Sequence, residues 1–319
     1  MYNYVIFHRG CLDGFTSFII LHMSGKIKDD AKIFPDVPST TNIPQGIEGK
    51  HIIIMDVAYK NDVLKEIIHL AASVVFIDHH VTIHDEVDLI DKSKTTKIIY
   101  DENECGASLT WQFLHPNKDL PLFVKYIRDN DLGLWKKKHT HAFIAALNIK
   151  HDTNLSDSNI SRWMKLMNEH VVKKLISRGK IYQEYIDNML DVNSRRYSME
   201  KFPSEVIYEE YTEYFKKPGQ YKVAVVCGGG CPSTSLLGLK MMNVVDCDFV
   251  IFWNLHMDRK EYVLSFRSSH VDVGNIAKIF NGGGHKLASA GSFSVNKYSI
   301  TDLFYPQSLP RQNKKRKHH

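Results

Sequence analysis

Three short, almost continuous apolar runs near the N-terminus constrain the fold of this chain most strongly. They span residues 4–7, 51–55 and 74–77, and a stretch with helical periodicity follows each of the first two. Apolar runs of this length are typical of strands that are covered on both faces. The β-α-β-α-β order therefore predicts an α/β fold in which a parallel sheet carries helices on both sides.

The chain has 319 residues, which is longer than a typical single domain, so two domains are expected. The larger, N-terminal domain is predicted to hold the parallel sheet, to span residues 1–190 and to include a long connecting helix from about residue 157. Residues 191–220 are predicted as a linker and residues 221–305 as a smaller C-terminal α/β domain. Residues 306–319 are predicted to form a basic, disordered tail.

The composition is that of a soluble globular protein, with 43% hydrophobic and 24% charged residues. No apolar run approaches the ~20 residues of a membrane helix, and the first residues lack the pattern of a secretory signal. A cytoplasmic protein without a membrane partner is therefore predicted. The basic run Lys314–Lys317 leaves alternatives open: a solvated end, a nuclear-import or nucleic-acid-tethering patch, or a segment added for expression.

The charge and the cysteines argue against two further classes of protein. The net charge is +5, and the basic run near the C-terminus contributes much of it, so the rest of the chain is nearly neutral. A broad, positively charged face for duplex DNA is therefore not expected. The five cysteines are scattered without a CxxC pair, which argues against both a disulfide framework and a zinc knuckle.

Polar residues follow each of the three predicted strands. His8, Asp56 and Asp78 come directly after the apolar runs, and the carboxyl ends of strands line the ligand crevice in open α/β sheets. Taken separately, Asp13 and Asp56 could each cap a helix, and Asp78-His79-His80 could be ordinary loop polarity. Together, these carboxylates and imidazoles are the ligand types that suit Mn²⁺, Mg²⁺ or a similar divalent ion.

The ordered set of motifs resembles the DHH phosphoesterase superfamily, which is named for the triplet found here at Asp78-His79-His80. The segment from Gly282 to Gly291 resembles the GGGH-x-x-A-x-x-G signature of the DHHA1 domain attached to many of its members. The resemblance covers roughly residues 2–300 and is closest to the oligoribonuclease, or nanoRNase-like, branch. It implies a parallel-sheet DHH domain joined by a helical linker to a smaller DHHA1 domain.

The resemblance also implies a pair of divalent cations, Mn²⁺ first and Mg²⁺ or Co²⁺ as alternatives. The implied ligands are His8, Asp13, Asp56, His79 and either Asp129 or Asp131. Asp56 would bridge the cations, Asp78 would accept a hydrogen bond from a ligand imidazole, and His80 would face the scissile phosphate. Asp78 and His80 are thus the implied catalytic residues.

The sequence departs from the family pattern at the first motif. The usual form is His-x-x-x-Asp-x-Asp, whereas His8 is followed by only one carboxylate, Asp13, with Cys11 near the place of the other. Cys11 is either a soft metal ligand or a buried thiol without a ligand role, and the second interpretation is favoured.

The fourth motif can be aligned in two ways. The family form Asp-Thr-Gly matches either Asp129 or the segment Asp131-Leu132-Gly133. Asp129 is preferred because it directly follows a predicted helix that ends at Arg128.

In the second domain, the residues implied to bind substrate are Arg267, Ser268, Gly283, Gly284 and His285. Successive glycines let backbone N–H groups approach a phosphate, and an arginine beside hydroxyl groups suits a terminal nucleotide. The alternative is that the glycines only form a tight turn between a helix and a strand.

The function implied by the resemblance is metal-dependent hydrolysis of phosphate esters in short single-stranded oligonucleotides or small nucleotides, most simply by a short-substrate exonuclease. Alternatives are hydrolysis of 3′-phosphoadenosine 5′-phosphate or of a cyclic dinucleotide. An inorganic pyrophosphatase is disfavoured by the glycine-rich second domain. A catalytically inactive, nucleic-acid-binding scaffold is the alternative from another class, and both a monomer and a homodimer remain open.

Overall fold

The computed structural model describes residues 1–37, 42–84, 96–228 and 231–306. The predicted basic tail, including Lys314–Lys317, lies almost wholly outside the described residues. Contacts between residues divide the chain into two compact units, Met1–Glu184 and Tyr185–His319. Among the described residues, no helix combines the length and the apolar character that a membrane span requires.

The first unit contains a five-stranded sheet in which every neighbouring pair is parallel. Its strands are β1 (Tyr2–His8), β2 (Ile27–Asp36), β3 (His51–Met55), β4 (Ser73–Asp78) and β5 (Thr96–Tyr100), in the order β2-β1-β3-β4-β5. The predicted α/β fold class is confirmed. The sequence did not predict β2 and β5, because both are edge strands with largely half-exposed residues and lack a continuous apolar run.

Helices cover both faces of this sheet. They are α1 (Leu12–Met23), α2 (Asn61–Leu70), α3 (Gly106–Leu114), α4 (Leu122–Asp131), α5 (Thr140–Lys150) and α6 (Asp157–Met164). Alternate residues of the central strands enter two different cores: Val5 and Ile53 pack in one, and Ile6 and Ile54 in the other. This double burial explains why these strands are apolar at consecutive positions rather than at every second one.

The long helix predicted from residue 157 is broken in the structure. Helix α6 ends at Met164, a 3₁₀ turn follows at Lys165–Met167, and α7 spans Glu169–Asn193. Asn168 separates them with an extended ψ of 113°, and its side-chain oxygen accepts the N–H of His170 at 2.9 Å. A side chain that bonds the backbone two residues ahead favours a turn over a helix, so the prediction of one continuous helix was wrong.

The second unit contains a six-stranded sheet in the order β10-β11-β9-β8-β7-β6. The strands are β6 (Ser198–Phe202), β7 (Tyr221–Cys227), β8 (Phe249–His256), β9 (Glu261–Ser268), β10 (Gly283–His285) and β11 (Ala288–Ser294). Only β7 and β8 pair in parallel. The helices are α8 (Glu205–Glu210), α9 (Thr234–Val244) and α10 (Val273–Lys278). The segment predicted as a linker, 191–220, contributes β6, which pairs with β7.

Candidate functional site

The carboxyl ends of three neighbouring strands bring polar side chains together in the first unit. His8 is the last residue of β1, Asp78 is the last residue of β4, and Asp56 directly follows β3. Asp56 and Asp78 are buried, with 1% and 0% of their surface exposed. Buried carboxylates are costly unless hydrogen bonds or cations compensate them, so the surroundings of these groups decide what the site can do.

The side chains form two adjacent groups, in each of which the potential ligand atoms lie within 4.8 Å of one another. The first group consists of His8, Asp56 and His80, and the second group of Asp13, His79 and Asp131. Asp56 connects them: its Oδ2 is 3.3 Å from His8 Nδ1, and its Oδ1 is 3.2 Å from His79 Nε2. One carboxylate thus offers an oxygen to each group.

The backbone of Asp56 adopts an uncommon conformation, with a φ of 63° in the left-handed region. Its N–H donates to Ile77 O at 2.9 Å, which ties the residue to the neighbouring strand. Gly106 at the start of α3 permits this arrangement, because a Cβ there would lie 2.7 Å from Asp56 Cβ. Non-glycine residues held at positive φ concentrate at functional sites.

Asp13 is held by the N-terminus of another helix. Its carboxylate accepts the N–H groups of Gly106 at 2.6 Å and Ala107 at 2.9 Å, both in the first turn of α3. The free N–H groups and the dipole of a helix N-terminus favour this negative charge. Burial, together with the charges of Asp56 and Asp131, nevertheless raises the pKa of Asp13 well above its ordinary value.

Sequence reasoning missed two glycines that this arrangement requires. A Cβ at Gly14 would lie 2.6 Å from His8 Cβ, and a Cβ at Gly106 would lie 2.9 Å from Asp13 Oδ2. Both glycines therefore let a helix approach the polar residues closely. The position of Gly14 was a signal that could have been used, because it directly follows Asp13, and Gly106 begins helix α3.

Asp78 orients the backbone and one ring of the histidine pair. Its Oδ1 accepts the N–H groups of His79 at 2.6 Å and His80 at 2.8 Å, and it lies 2.6 Å from His80 Nδ1. An oxygen that accepts from two backbone N–H groups is an acceptor for the ring as well, so His80 Nδ1 carries the proton and Nε2 remains for other partners. Asp78 therefore contacts the ring of His80, not that of His79.

The charges of the site show a shortage of positive partners. Burial would lower the pKa of His79, but the hydrogen bond with Asp56 and the charges of Asp13 and Asp131 raise it to about 9. Burial, reinforced by the charge of Asp56, raises the pKa of Asp131 to about 6. Burial would raise the pKa of Asp56, but the hydrogen bond to His79 and the adjacent imidazole of His8 hold it below its usual range. Crowded carboxylates of this kind are relieved by protons or cations.

Two buried atoms indicate what would relieve them. His8 Nδ1 and Asp56 Oδ2 have no hydrogen-bond partner among the described residues. They lie 3.3 Å apart and face each other. Buried polar atoms rarely stay unpaired, and a set of carboxylate oxygens and imidazole nitrogens suits divalent cations such as Mn²⁺. The residues of the two groups therefore fit a pair of divalent cations.

Asp129, the aspartate that the sequence favoured as a ligand, belongs to neither group. Its carboxylate accepts the N–H groups of Lys136 at 3.0 Å and Lys137 at 3.1 Å and the hydroxyl of Thr140 at 2.5 Å. Asp131 instead places Oδ2 3.4 Å from His79 Nε2. One helical residue separates the two carboxylates, so they point in different directions, and the preference for Asp129 is corrected in favour of Asp131.

Cys11 directly precedes α1, and its sulfur belongs to neither group. Burial and the nearby charges of Asp56 and Asp13 raise the pKa of its thiol. A thiol that keeps its proton is a poor ligand, since cations bind the thiolate. Its role stays a prediction.

In the second unit, four of the five predicted substrate-binding residues line one cavity of about 340 Å³. They are Arg267, Gly283, Gly284 and His285. The Arg267 guanidinium donates to Phe266 O at 2.8 Å and to Ser235 Oγ at 2.9 Å.

Ser268 is the predicted residue that does not line this cavity. Its hydroxyl oxygen accepts the N–H of Val271 at 2.8 Å and donates to Asp248 O at 3.1 Å. These bonds hold the turn after β9, so the structure gives Ser268 a role in the loop.

The three consecutive glycines beside the cavity differ in what they require. A Cβ at Gly282 would lie 2.0 Å from Ala290 O, and Gly284 has a φ of 136° that other residues rarely adopt. A Cβ at Gly283 would meet nothing within 4 Å. Packing and backbone geometry therefore explain Gly282 and Gly284, but not Gly283.

No protein-family model matches the chain. An uncharacterized protein of Acanthamoeba polyphaga mimivirus is 27% identical over 307 residues, which span 91% of this chain and 67% of that protein. A pGpG-specific phosphodiesterase of Vibrio cholerae has a similar fold, with a TM-score of 0.49, 14% identity and coverage of 93% of this chain and 95% of that one. Mn²⁺-bound RecJ of Thermus thermophilus gives a TM-score of 0.46 and 13% identity, over 92% of this chain and 50% of that one. The function has to be inferred from the chemistry of the site.

Proposed function

We propose that this chain is a metal-dependent phosphoesterase that uses two divalent cations to hydrolyse phosphate esters of short oligonucleotides or small nucleotides. The observation that carries the proposal is the position of Asp56 between the two groups. Its oxygens lie 3.3 Å from His8 Nδ1 and 3.2 Å from His79 Nε2. A carboxylate shared in this way is the bridging ligand that a two-cation hydrolytic centre needs.

The first cation would be held by His8 and Asp56. The second would be held by Asp13, His79 and Asp131, and Asp56 would be shared between the two cations. Bound cations lower the pKa of a water molecule and stabilise negative charge on the phosphoryl oxygens. The mixture of imidazole and carboxylate donors favours Mn²⁺ or Co²⁺ over Mg²⁺, which prefers oxygen ligands alone.

His80 would supply the proton for the leaving oxygen. Its Nδ1 is 2.6 Å from Asp78 Oδ1, and this partner leaves Nε2 as the ring nitrogen that can act on a substrate. Burial would lower the pKa of His80, but the hydrogen bond and charge of Asp78 raise it. This shift favours the protonated ring, which is the form that a general acid requires. Asp78 acts by holding the ring and stabilising its charge.

The proposed substrates are short because the cavity that Arg267 and His285 line in the second unit is small. Its volume of about 340 Å³ lies in the range of small-ligand pockets. Arg267 and His285 could contact a phosphate there, and Gly283 has no Cβ to obstruct a close approach. Together with the DHHA1-like signature, these features support a nucleotide or oligonucleotide terminus as the ligand.

A panel of substrates tests the proposal. Purified protein with Mn²⁺ is incubated with a labelled dinucleotide, a 5-mer RNA, a long single-stranded DNA, pyrophosphate and 3′-phosphoadenosine 5′-phosphate. We expect hydrolysis of at least one short nucleotide substrate and its loss on chelation. Asp56→Asn should lower kcat by roughly 10³-fold or more, because the amide cannot serve as a charged bridge, while asparagine tolerates the positive φ.

Asp30→Asn is the matched control, because Asp30 is exposed on β2 and the same change there should preserve activity. Absence of turnover on every substrate, or turnover in Asp56→Asn equal to that of the control, would contradict the proposal. RNA binding without any turnover would instead identify an inactive scaffold. This is the second candidate function, and the single carboxylate of the first motif is the observation that favours it.

A further inference from the structure

The segment that directly follows Asp131 along the chain carries a concentration of positive charge. This basic loop, residues 132–141, contains Trp135, three consecutive lysines at 136–138, and His141. All three lysines are exposed, and none of their ammonium groups forms an ion pair or hydrogen bond with another described residue. Three exposed lysines in a row concentrate positive charge that an anionic partner can use.

The loop is held in one conformation by a buried carboxylate. Asp129 is only 3% exposed, and its side chain accepts the N–H groups of Lys136 and Lys137 and the hydroxyl of Thr140. Its carbonyl oxygen also accepts the N–H of Leu134 at 3.0 Å. A buried carboxylate with three donors fixes the backbone strongly, so the lysines are displayed from a rigid support.

An aromatic pair lies at the centre of the same loop. The rings of Trp135 and His141 are stacked, with their centroids 4.2 Å apart and an angle of 6° between their planes. Trp135 has a φ of 51°, an uncommon conformation for an aromatic residue. The strained backbone and the stack set the orientation of a partly exposed indole, and flat exposed aromatic rings are platforms on which nucleotide bases stack.

The charge balance of the centre shows why such a loop is needed. Asp13, Asp56, Asp78 and Asp131 bring four carboxyl groups together, and two divalent cations would only balance their formal charge. Arg128, at the other side of Asp131, is already paired with Glu104 at 2.6 Å. Positive charge for the phosphates that flank the scissile one must therefore come from other residues, and the basic loop begins directly after Asp131.

We infer that the basic loop is a substrate-binding element, in which Lys136, Lys137 and Lys138 contact phosphates next to the scissile one and Trp135 stacks on a base. The inference rests on the proposed phosphoesterase activity and narrows its substrates. Oligonucleotides with a second phosphate and an unpaired base are preferred to pyrophosphate and to esters with a single phosphate. Asp129 is a positioning residue that acts through the loop.

Replacing the three lysines together by alanine tests the loop. KM for a 5-mer RNA should rise at least about tenfold, and the salt dependence of its binding should decrease by about 2 in the slope of log affinity against log salt. KM for bis(p-nitrophenyl) phosphate, which has one phosphate and no base, should rise far less. A control with Lys65, Lys118 and Lys174 replaced by alanine removes the same charge from exposed positions elsewhere in the unit.

Substitutions of Trp135 and of Asp129 test the aromatic stack and the support of the loop separately. Trp135→Ala should raise KM for the RNA about tenfold, whereas Trp135→Phe should retain much of the affinity, since either ring can stack on a base. Asp129→Asn should raise KM more than it lowers kcat, because it loosens the loop without altering a ligand of either group. A fall in kcat on both substrates with constant KM would show that Asp129 does not act through binding.

RNA affinity is also measured without turnover, by fluorescence anisotropy of a labelled 5-mer with Ca²⁺ in place of Mn²⁺. Loss of RNA affinity in the triple-lysine variant, but not in its control, supports the inference. This holds even if no hydrolysis is detected, because a lack of hydrolysis counts only against the proposed activity. Equal affinity of the two triple variants, or equal effects of the lysine substitutions on RNA and on the small ester, would overturn it.

Discussion

The two candidate sites of this protein are built in opposite ways. In the first unit, buried aspartates and half-buried histidines crowd the carboxyl ends of parallel strands, and three of their atoms, His8 Nδ1, Asp56 Oδ2 and Asp78 Oδ2, lack a hydrogen-bond partner among the described residues. In the second unit, Arg267 and His285 line a cavity of about 340 Å³ beside three glycines. The first site concentrates carboxylates, which suit cations, whereas the second combines one guanidinium with an open stretch of backbone.

Both sites nevertheless depend on glycine for the same physical reason. Gly106 lets a helix approach Asp56 and Asp13, and Gly282 lets β10 approach β11, because a Cβ at either position would overlap a neighbour. Gly283 breaks this pattern, since a Cβ there would meet nothing. The difference separates glycines that the packing requires from one that it does not require.

The largest expected effect is the difference between two adjacent glycine substitutions. Gly282→Ala should lower the free energy of unfolding by about 3 kcal/mol, because its Cβ would lie 2.0 Å from Ala290 O. Gly283→Ala should change it by less than about 1 kcal/mol, but should raise KM for a short RNA. Urea unfolding and steady-state kinetics measure the two quantities. Equal stability of the two variants would contradict the different packing of Gly282 and Gly283. An unchanged KM in Gly283→Ala would contradict a role of Gly283 in binding.

The second prediction concerns the excess negative charge in the first unit. Burial and the charge of Asp56 raise the pKa of Asp131 from its ordinary 3.8 to about 6. The folded state then binds the proton more tightly than the unfolded state, so metal-free protein loses stability as pH rises from about 4 to 6 and stays less stable above it. Because Asp131 is exposed enough for solvent to screen its charge, Asp131→Asn should avoid this loss and be more stable at about pH 8 by on the order of 1 kcal/mol.

Urea unfolding of chelator-treated protein at about pH 5 and about pH 8 measures the effect, with Asp30→Asn as the control. Saturating Mn²⁺ should stabilise the wild type more than Asp131→Asn, because the cation replaces the proton as the compensating charge. If the difference in unfolding free energy between the wild type and Asp131→Asn is the same at both pH values, the centre is not strained by its charge.

The smallest effect is expected for Cys11→Ser. The sulfur belongs to neither group, and burial together with Asp56 and Asp13 raises the pKa of the thiol. Mn²⁺ affinity, measured by isothermal titration calorimetry, should therefore change by less than about threefold, since a protonated thiol is not a ligand. A larger loss, or a shift in preference away from Zn²⁺ and Co²⁺, would show that Cys11 replaces the missing carboxylate of the first motif.

The central part of the fold could be predicted because burial on both faces leaves a strong sequence signal. Strands β1, β3 and β4 are apolar at consecutive positions, whereas the edge strands β2 and β5 are half exposed and give no such signal. The break at Asn168 was missed because the apolar spacing continues through it. A local hydrogen bond to His170, which periodicity does not reveal, ends one helix and starts the next.

The candidate site shows the same limit. The sequence singled out His8, Asp56 and Asp78 by their positions after strands, and Asp13, His79 and His80 through the resemblance, but it favoured Asp129 over Asp131. Both follow the same run of helical residues, and only the direction of each side chain separates them. Asp129 turns toward the N–H groups of the basic loop, and Asp131 turns toward His79.

The sequence by itself determined the parallel α/β core and which strand ends carry polar residues, since these depend on hydrophobic pattern and chain order. The tertiary structure decided which of those residues meet, that Asp56 lies between the two groups, and that Asp78 orients His80. Such contacts join segments far apart in the chain and depend on distances of a few tenths of an ångström. No local pattern fixes them, because they follow from how closely helices and strands can approach, which Gly14 and Gly106 control.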